Sequence, residues 1–359
     1  MGQLDQTKTE SGRVGSRVVS LRDVAKEAKV SAATVSMVLN GNPRISRATA
    51  TRIQRLVERM GYQPNRLAQS LSSKHTHVVA VMLPALRHAF ADAYFGEIIS
   101  GVCDKAGKMG YKVMLEQAKP EFIKDKQHVR LFERRYVDGV LCLGTNDRHR
   151  WLNDFQPAGC PAMLVDNAVD ESRLDSVVCD YASGAEQVMN YLLQLGHQRI
   201  GLIWAGQDIK SSRRVRKVYS HLCERNGLPC GDACVADGKF TEEGGAAAAE
   251  QLLDADPTLT ALFATNDKMA IGAMHQAARR GLRLPHDLSV VGFDDLRHAA
   301  FVNPTLTTIH LPLYEVGAAA MERLVERIHG RPEPVADMLP THLIVRQSTA
   351  MAKSALAAG

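Results

Sequence analysis

The chain has 359 residues, 45% of them hydrophobic, 5% aromatic and 23% charged, which is ordinary for an α/β protein and enough for two or three domains with sizeable cores. The opening segment MGQLDQTKTESGRVGSR has no apolar run after its charges, and no stretch approaches 18 uninterrupted apolar residues, so neither export nor membrane spanning is expected and a cytoplasmic location is. The seven cysteines are an odd number without a CxxC pair, and the nearest approach, CGDAC at Cys230 to Cys234, lacks a second ligand pair; no metal and no cofactor are expected.

The net charge of +5 conceals a partition. Residues 1–76 hold 13 of the 44 Lys and Arg but only 5 of the 39 Asp and Glu, a net of +8, which leaves −3 for the other 283 residues. A small basic module joined to a larger, mildly acidic one suits a polyanion-binding head on a regulatory body.

In chain order, residues 1–18 form a polar tail expected to be disordered. Ser20 then precedes LRDVAKEA, where Leu21, Val24, Ala25 and Ala28 recur at helical spacing and Asp23 completes a capping-box pattern. Ser31 caps a second helix, Ala32 to Leu39, whose Val35 and Val38 face the first; Asn40 and Gly41 end it. Pro43 and Ser46 prepare a third helix, with Ala50, Ile53, Val57 and Met60 as its buried stripe and Gly61 as its stop. Three short helices joined by tight turns predict a helix-turn-helix head. Its second helix is poor in charge because small side chains let the backbone approach the major groove, where Ser31, Thr34 and Ser36 reach bases or phosphates and alanine methyls meet thymine methyls. Arg22, Lys26, Arg44, Arg47 and Arg52 flank it, placed for phosphates.

From His77 onward short apolar runs alternate with helical segments. HVVAVMLP, YKVMLE, GVLCLG, PAMLVD, SVVCD, RIGLIW, ALFAT and LSVVGF read as buried strands, and segments such as Ala182 to Leu195 and Asp267 to Arg280 as helices, which predicts parallel sheets covered by helices. Asp166, Asn266 and Asp294 stand at strand ends, where carboxylates and amides bind vicinal hydroxyls.

The segment VSLRDVAKEAKVSAATVSMVLN, then GYQPNRLAQSLSSKHT, resembles the DNA-binding head and hinge of the lactose-repressor (LacI/GalR) family of bacterial transcription regulators. The resemblance continues in order through YFGEII, VDGVL, LGHQRIGLI, NDKMAIGAM, GLRLPHDLSVVGFDD and LTTIHLP, covering Val19 to about Ser348. It implies an α-helical helix-turn-helix head over 19–63, a hinge helix and linker over 64–76, and over 77–348 an α/β bilobed body like a periplasmic binding protein. That body would hold two doubly wound parallel sheets, crossed near Asp180, Ile309 and Pro340, with residues 349–359 as a tail.

The resemblance assigns operator contact to Ser20, Arg22, Ser31, Ala32, Ala33, Thr34, Ser36, Met37, Asn40 and Arg47. In the hinge it assigns Leu71 as a minor-groove wedge, with Asn65 and Ala68 positioning the helix. Met37 stands where many members carry a long donor such as Arg, and it offers only apolar contact. Asp166, Asn266 and Asp294 match ligand-contacting positions, and Tyr94, Phe95 and Phe240 match aromatic positions that enclose the ligand. The family's arginine four residues before an aromatic is replaced, since KSSRRVRKVYSH puts Val215 at that spacing from Tyr219; Arg214 and Arg216 flank it as candidate anchors. The cluster Lys210, Arg213, Arg214, Arg216 and Lys217 suits either an anionic effector or a solvated helix face.

The implied function is a nucleoid-associated, operator-binding regulator, in the main a repressor. A sugar, sugar acid or other sugar derivative would control it, with a purine corepressor as the alternative. A homodimer is expected rather than a tetramer, because MAKSALAAG is too short for a tetramerising coiled coil. No P-loop, GxGxxG, HExxH or GxSxG is present, and Asp166 with Asp294 is the sole carboxylate pair available to an enzyme reading. A pure solute-binding protein would need an export signal and no basic head.

Overall fold

The computed structural model describes residues 19–39, 42, 44–62, 75–85, 89–170, 172–331 and 336–352. Expectations for Asn40, Asn65, Ala68, Leu71 and the two tails' outer residues lie outside these. The chain divides into two compact units, 1–76 and 77–359.

In the first unit, helix α1 (Leu21–Ala28) opens with a reciprocal capping box. The Asp23 N–H donates to Ser20 Oγ at 3.3 Å, and the Ser20 N–H donates to Asp23 Oδ2 at 2.9 Å. Helix α2 (Ala32–Leu39) starts at Ser31, whose Oγ accepts from the Thr34 N–H at 3.1 Å. Helix α3 (Arg47–Arg59) is capped by Ser46, accepting from the Thr49 N–H. Val24, Ala25, Ala28, Val35, Val38, Ile53 and Tyr62 form one buried cluster that fixes the three helices. Arg52, expected at phosphates, donates instead to the Ala28 carbonyl at 3.0 Å and so satisfies the open C-terminal end of α1.

The second unit contains two parallel sheets. The first runs in the order β11-β5-β4-β3-β1-β2, with β1 (Val78–Pro84), β2 (Lys112–Ala118), β3 (Gly139–Leu143), β4 (Ala162–Val165), β5 (Asp175–Cys179) and β11 (Ala336–Leu339). The second is β7-β6-β8-β9, with β6 (Ile200–Trp204), β7 (Val235–Asp237), β8 (Ala261–Ala264) and β9 (Ser289–Val291). Each expected apolar run is a strand. The short β7 and β11 give too little pattern to be read from sequence, as do the antiparallel pair β10 (Thr308–His310) and β12 (His342–Ile344).

Helices α4 (Ala93–Lys108), α5 (Pro120–Lys124), α6 (Gln127–Glu133) and α11 (Leu313–Ile328) belong with the first sheet. Helices α7 (Tyr181–Gln194), α8 (Lys210–Arg225), α9 (Glu242–Ala255) and α10 (Asp267–Arg279) belong with the second. In each lobe one helix pair meets backbone to backbone through glycine. A Cβ on Gly101 of α4 would lie 1.9 Å from the Tyr314 carbonyl oxygen of α11, and one on Gly272 of α10 would lie 1.9 Å from that of Glu242 in α9. The chain passes between the lobes after β5, after β10 and after β11. The first and third crossings are tied by the Asp180 N–H donating to the Leu339 carbonyl (2.8 Å) and Thr341 Oγ1 donating to the Asp180 carbonyl (3.0 Å). Carboxyl ends of both sheets therefore face one cleft.

Candidate functional sites

On the head, Val35 and Val38 point α2 inward, which leaves the opposite face, with Ala33 and Met37 one turn apart, toward the exterior. Ala33 is exposed, while Ala32, Thr34, Ser36 and Met37 are partly exposed. Ser31 and Thr34 are hydrogen-bonded to each other through their hydroxyls (2.8 Å) and to the helix start, so both shape the N-terminus as well as facing outward. Ser20 is exposed with its hydroxyl engaged by Asp23, and Arg22 and Arg47 are exposed. Arg47, Thr51 and Arg55 share one face of α3, and with Arg52 and Arg59 they line a shallow basic groove.

In the body, a cavity of about 200 Å³ lies between the lobes. It is small beside the roughly 300–1,000 Å³ of drug-sized sites, which suits one sugar- or nucleoside-sized molecule. Of the eight residues expected there, six line it: Tyr94, Phe95, Asp166, Phe240, Asn266 and Asp294.

Asp166 follows β4 in left-handed backbone conformation (φ 54°) and is buried. Its Oδ2 accepts the hydroxyls of Tyr94 (2.5 Å) and Tyr181 (2.6 Å), and its Oδ1 accepts the Cys179 N–H (2.9 Å). Asp166 thus holds two cavity-wall phenols through Oδ2 and the end of β5 through Oδ1. Burial raises its pKa against these hydrogen bonds, and burial followed by the Asp166 charge raises those of Tyr94 and Tyr181. Tyr94 packs edge-on against Phe95 (5.2 Å between centroids), and Tyr181 stacks on Phe293 (5.6 Å).

Asn266, in the cavity lining, is the N-cap of α10, its Oδ1 accepting the Met269 N–H at 2.8 Å. Asp294 is buried and its pKa is pushed well up, first by burial and then by the neighbouring charges of Asp267 and Asp166. Phe240, in the turn after β7, is 38% exposed at the cavity margin and packs against Gly206.

Arg214 and Arg216 do not reach the cavity. The buried face of α8 carries Ser212, Val215 and Tyr219, so the helical period turns Arg214 outward. Arg216 lies over the Trp204 ring, 4.5 Å from its centroid, on the outer surface. Val215 occupies the inward position.

Lys210 and Arg213 of the basic cluster bridge the lobes. Arg213 pairs with Asp147 (2.6 Å) and Asp170 (2.8 Å), and Lys210 pairs with Asp170 (2.6 Å). Arg148 pairs with Asp208 (2.7 Å) in the reverse sense, and Lys268 pairs with Asp92 (2.7 Å) at the cavity wall. Sequence reasoning missed Thr145, Asn167, Tyr181 and Thr265 on the wall. Thr145, Asn167 and Thr265 lie within two residues of the strand ends after β3, β4 and β8, the same signal that marked Asp166 and Asn266. Among the described residues no group of three or more His, Cys, Asp or Glu is placed to hold a metal ion, and no helix is long and apolar enough to cross a membrane.

A helix-turn-helix head followed by a two-lobed body with a ligand-sized cleft defines a ligand-responsive regulator. Residues 20–65 match the model of bacterial regulatory proteins of the lacI family, and residues 189–349 match a periplasmic binding protein-like domain. Catabolite control protein A of Priestia megaterium is 32% identical over 334 residues, which cover 92% of this chain and 99% of that one. A solved complex of the transcriptional regulator CelR with cellobiose is 30% identical and superposes with a TM-score of 0.71, over 92% of this chain and 99% of that one. The lac repressor dimer bound to operator and the anti-inducer ONPF is 26% identical with a TM-score of 0.80, over 93% of this chain and all of that one. The chain belongs to the lacI family of bacterial regulatory proteins, and it is a DNA-binding transcriptional regulator.

Proposed function

We propose that the protein is a cytoplasmic repressor that binds a near-palindromic operator as a homodimer and is released by a sugar or sugar derivative held in the interlobe cavity. The observation that carries this reading is the cavity lined from both lobes, in a fold shared with a regulator solved with cellobiose. The outward face of α2, with Ala33, Ser36 and Met37, reads the major groove, Arg22 and Arg47 take phosphates, and residues 64–76 with Leu71 serve as the hinge in the minor groove. An effector that contacts both lobes changes their angle, and by linkage it is bound less tightly when the protein is on DNA.

The protein is not an enzyme in this reading. The carboxylate pair that hydrolysis would need is incomplete, because both oxygens of Asp166 are engaged by Tyr94, Tyr181 and the Cys179 N–H. Selection of bound duplexes from a random pool, followed by addition of sugars and purines to the recovered complex, tests the whole proposal. A palindromic consensus released by a sugar is expected. A consensus recovered only with a purine present would reverse the sign of control, and no consensus under any condition would overturn the operator reading.

A further inference from the structure

Three neutral polar atoms of the cavity-wall residues are buried without a hydrogen-bond partner in the protein: Thr145 Oγ1 and Asn167 Oδ1 on the first lobe, and Thr265 Oγ1 on the second. The Asn167 amide is fixed by its Nδ2 donating to the Thr145 carbonyl at 2.6 Å, which leaves Oδ1 as a fixed acceptor. Buried polar atoms are costly when unpaired, so this wall complements a ligand that brings hydroxyl groups to both lobes.

The charges around it point one way. Asp92, Asp166 and Asp294 line the cavity, and Lys268, the basic side chain of the lining among the described residues, is 2.7 Å from Asp92 Oδ2. At the mouth, Lys210 and Arg213 are engaged by Asp147 and Asp170 of the opposite lobe. An anion entering the cavity would find Lys268 already held by Asp92 and, among the described lining residues, no other cation to offset its charge, in surroundings where an unpaired charge is costly to bury.

We infer that the cavity selects an uncharged, polyhydroxylated ligand and rejects the phosphorylated or carboxylated form of the same molecule, while Lys210 and Arg213 of α8 hold the lobes to each other instead of anchoring an anion. This rests on the reading of the cavity as the effector site.

The test is calorimetric titration of the full-length protein, alongside its thermal midpoint and operator affinity, with matched pairs: glucose and glucuronate, galactose and galacturonate, ribose and its phosphate, adenosine and its monophosphate. The expected result is binding by at least one neutral member, with its anionic counterpart about a hundredfold weaker. Asp92→Asn, which releases Lys268 from its ion pair, is expected to narrow that gap about tenfold. An anionic member binding as tightly as its neutral partner would overturn the charge selection and leave the effector site standing. An unchanged gap in Asp92→Asn would overturn the role given to the engaged Lys268. No response from any pair, in heat, midpoint or operator affinity, would remove the effector-site reading and this inference with it.

Discussion

The Lys268 ammonium at the start of α10 lies 2.7 Å from the carboxylate of Asp92 at the start of α4, joining two helices of opposite lobes that are 176 residues apart in sequence. Asp92 uses its other oxygen to cap α4, accepting the Tyr94 N–H at 3.0 Å, so the pair also bears on where Tyr94 stands. Both side chains are about three-quarters buried. A double-mutant cycle with Asp92→Asn and Lys268→Ala is expected to give a coupling of about 1 kcal/mol in urea unfolding, diminished at high salt. Additive single effects would show that the contact does not stabilise closure.

A second expectation concerns pH. Asp267 is buried beside Asp294, and burial raises its pKa to about 7. The Asp295 charge adds to the rise; the Thr308 hydroxyl, the Leu296 N–H and Arg346 oppose it. The unfolded carboxyl titrates near 3.9, so the folded state binds the extra proton between about 4 and 7. This group's stabilising effect is complete below that window and is lost as pH rises through 7. In Asp267→Asn the amide oxygen can still accept the Leu296 N–H and its NH2 can donate to Thr308 Oγ1, the two partners that the carboxylate holds at 2.8 and 2.6 Å. The variant should be more stable than the parent at pH 8, on the order of 2 kcal/mol, with the advantage disappearing toward pH 4. Calorimetry across that range checks it; an advantage independent of pH would contradict the assignment.

Gly101→Ala places a methyl 1.9 Å from the Tyr314 carbonyl oxygen, backbone that cannot swing aside. Helices α4 and α11 must separate, with an expected loss of about 1–3 kcal/mol. The control is Gly96→Ala on the same helix, where a Cβ meets nothing within 4 Å. Helix propensity favours Ala over Gly, so the midpoint of the Gly96→Ala control should hold or rise, and a midpoint that also holds or rises in Gly101→Ala would show that the close approach gives way.

On the head, Arg47→Ala should weaken binding to all duplexes alike, roughly 3–10-fold, and reduce the slope of log affinity against log salt by about 1. Met37→Ala should leave that slope unchanged and alter base preference at one half-site position. Filter binding in a salt series separates the two, and a slope change in Met37→Ala would place that residue at the backbone instead.

Much of the fold was legible because it is locally encoded. Ser20, Ser31 and Ser46 each begin a helix through hydrogen bonds spanning three residues, and the largely buried strands β1, β3, β4, β6 and β8 are continuous apolar runs. Strand-end positions for Asp166, Asn266 and Asp294 followed from the same runs, which is why these residues do line the cavity.

What local pattern could not decide is the partner of each charge. The composition of α8 establishes a basic helix, but which of its cations face a ligand depends on the helical phase set by Val215 and Tyr219, and on Asp147 and Asp170, more than 40 residues upstream. That pairing exists only once two separately formed sheets face each other. Likewise Asp166 reads in sequence as a carboxylate free for ligand, and only folding brings Tyr94 and Tyr181, 72 and 15 residues away, onto the same oxygen. The sequence by itself determined the elements and the cleft between them. The tertiary structure decided which polar groups in that cleft are already satisfied, because hydrogen bonds and ion pairs depend on proximity in space and leave no periodic trace along the chain.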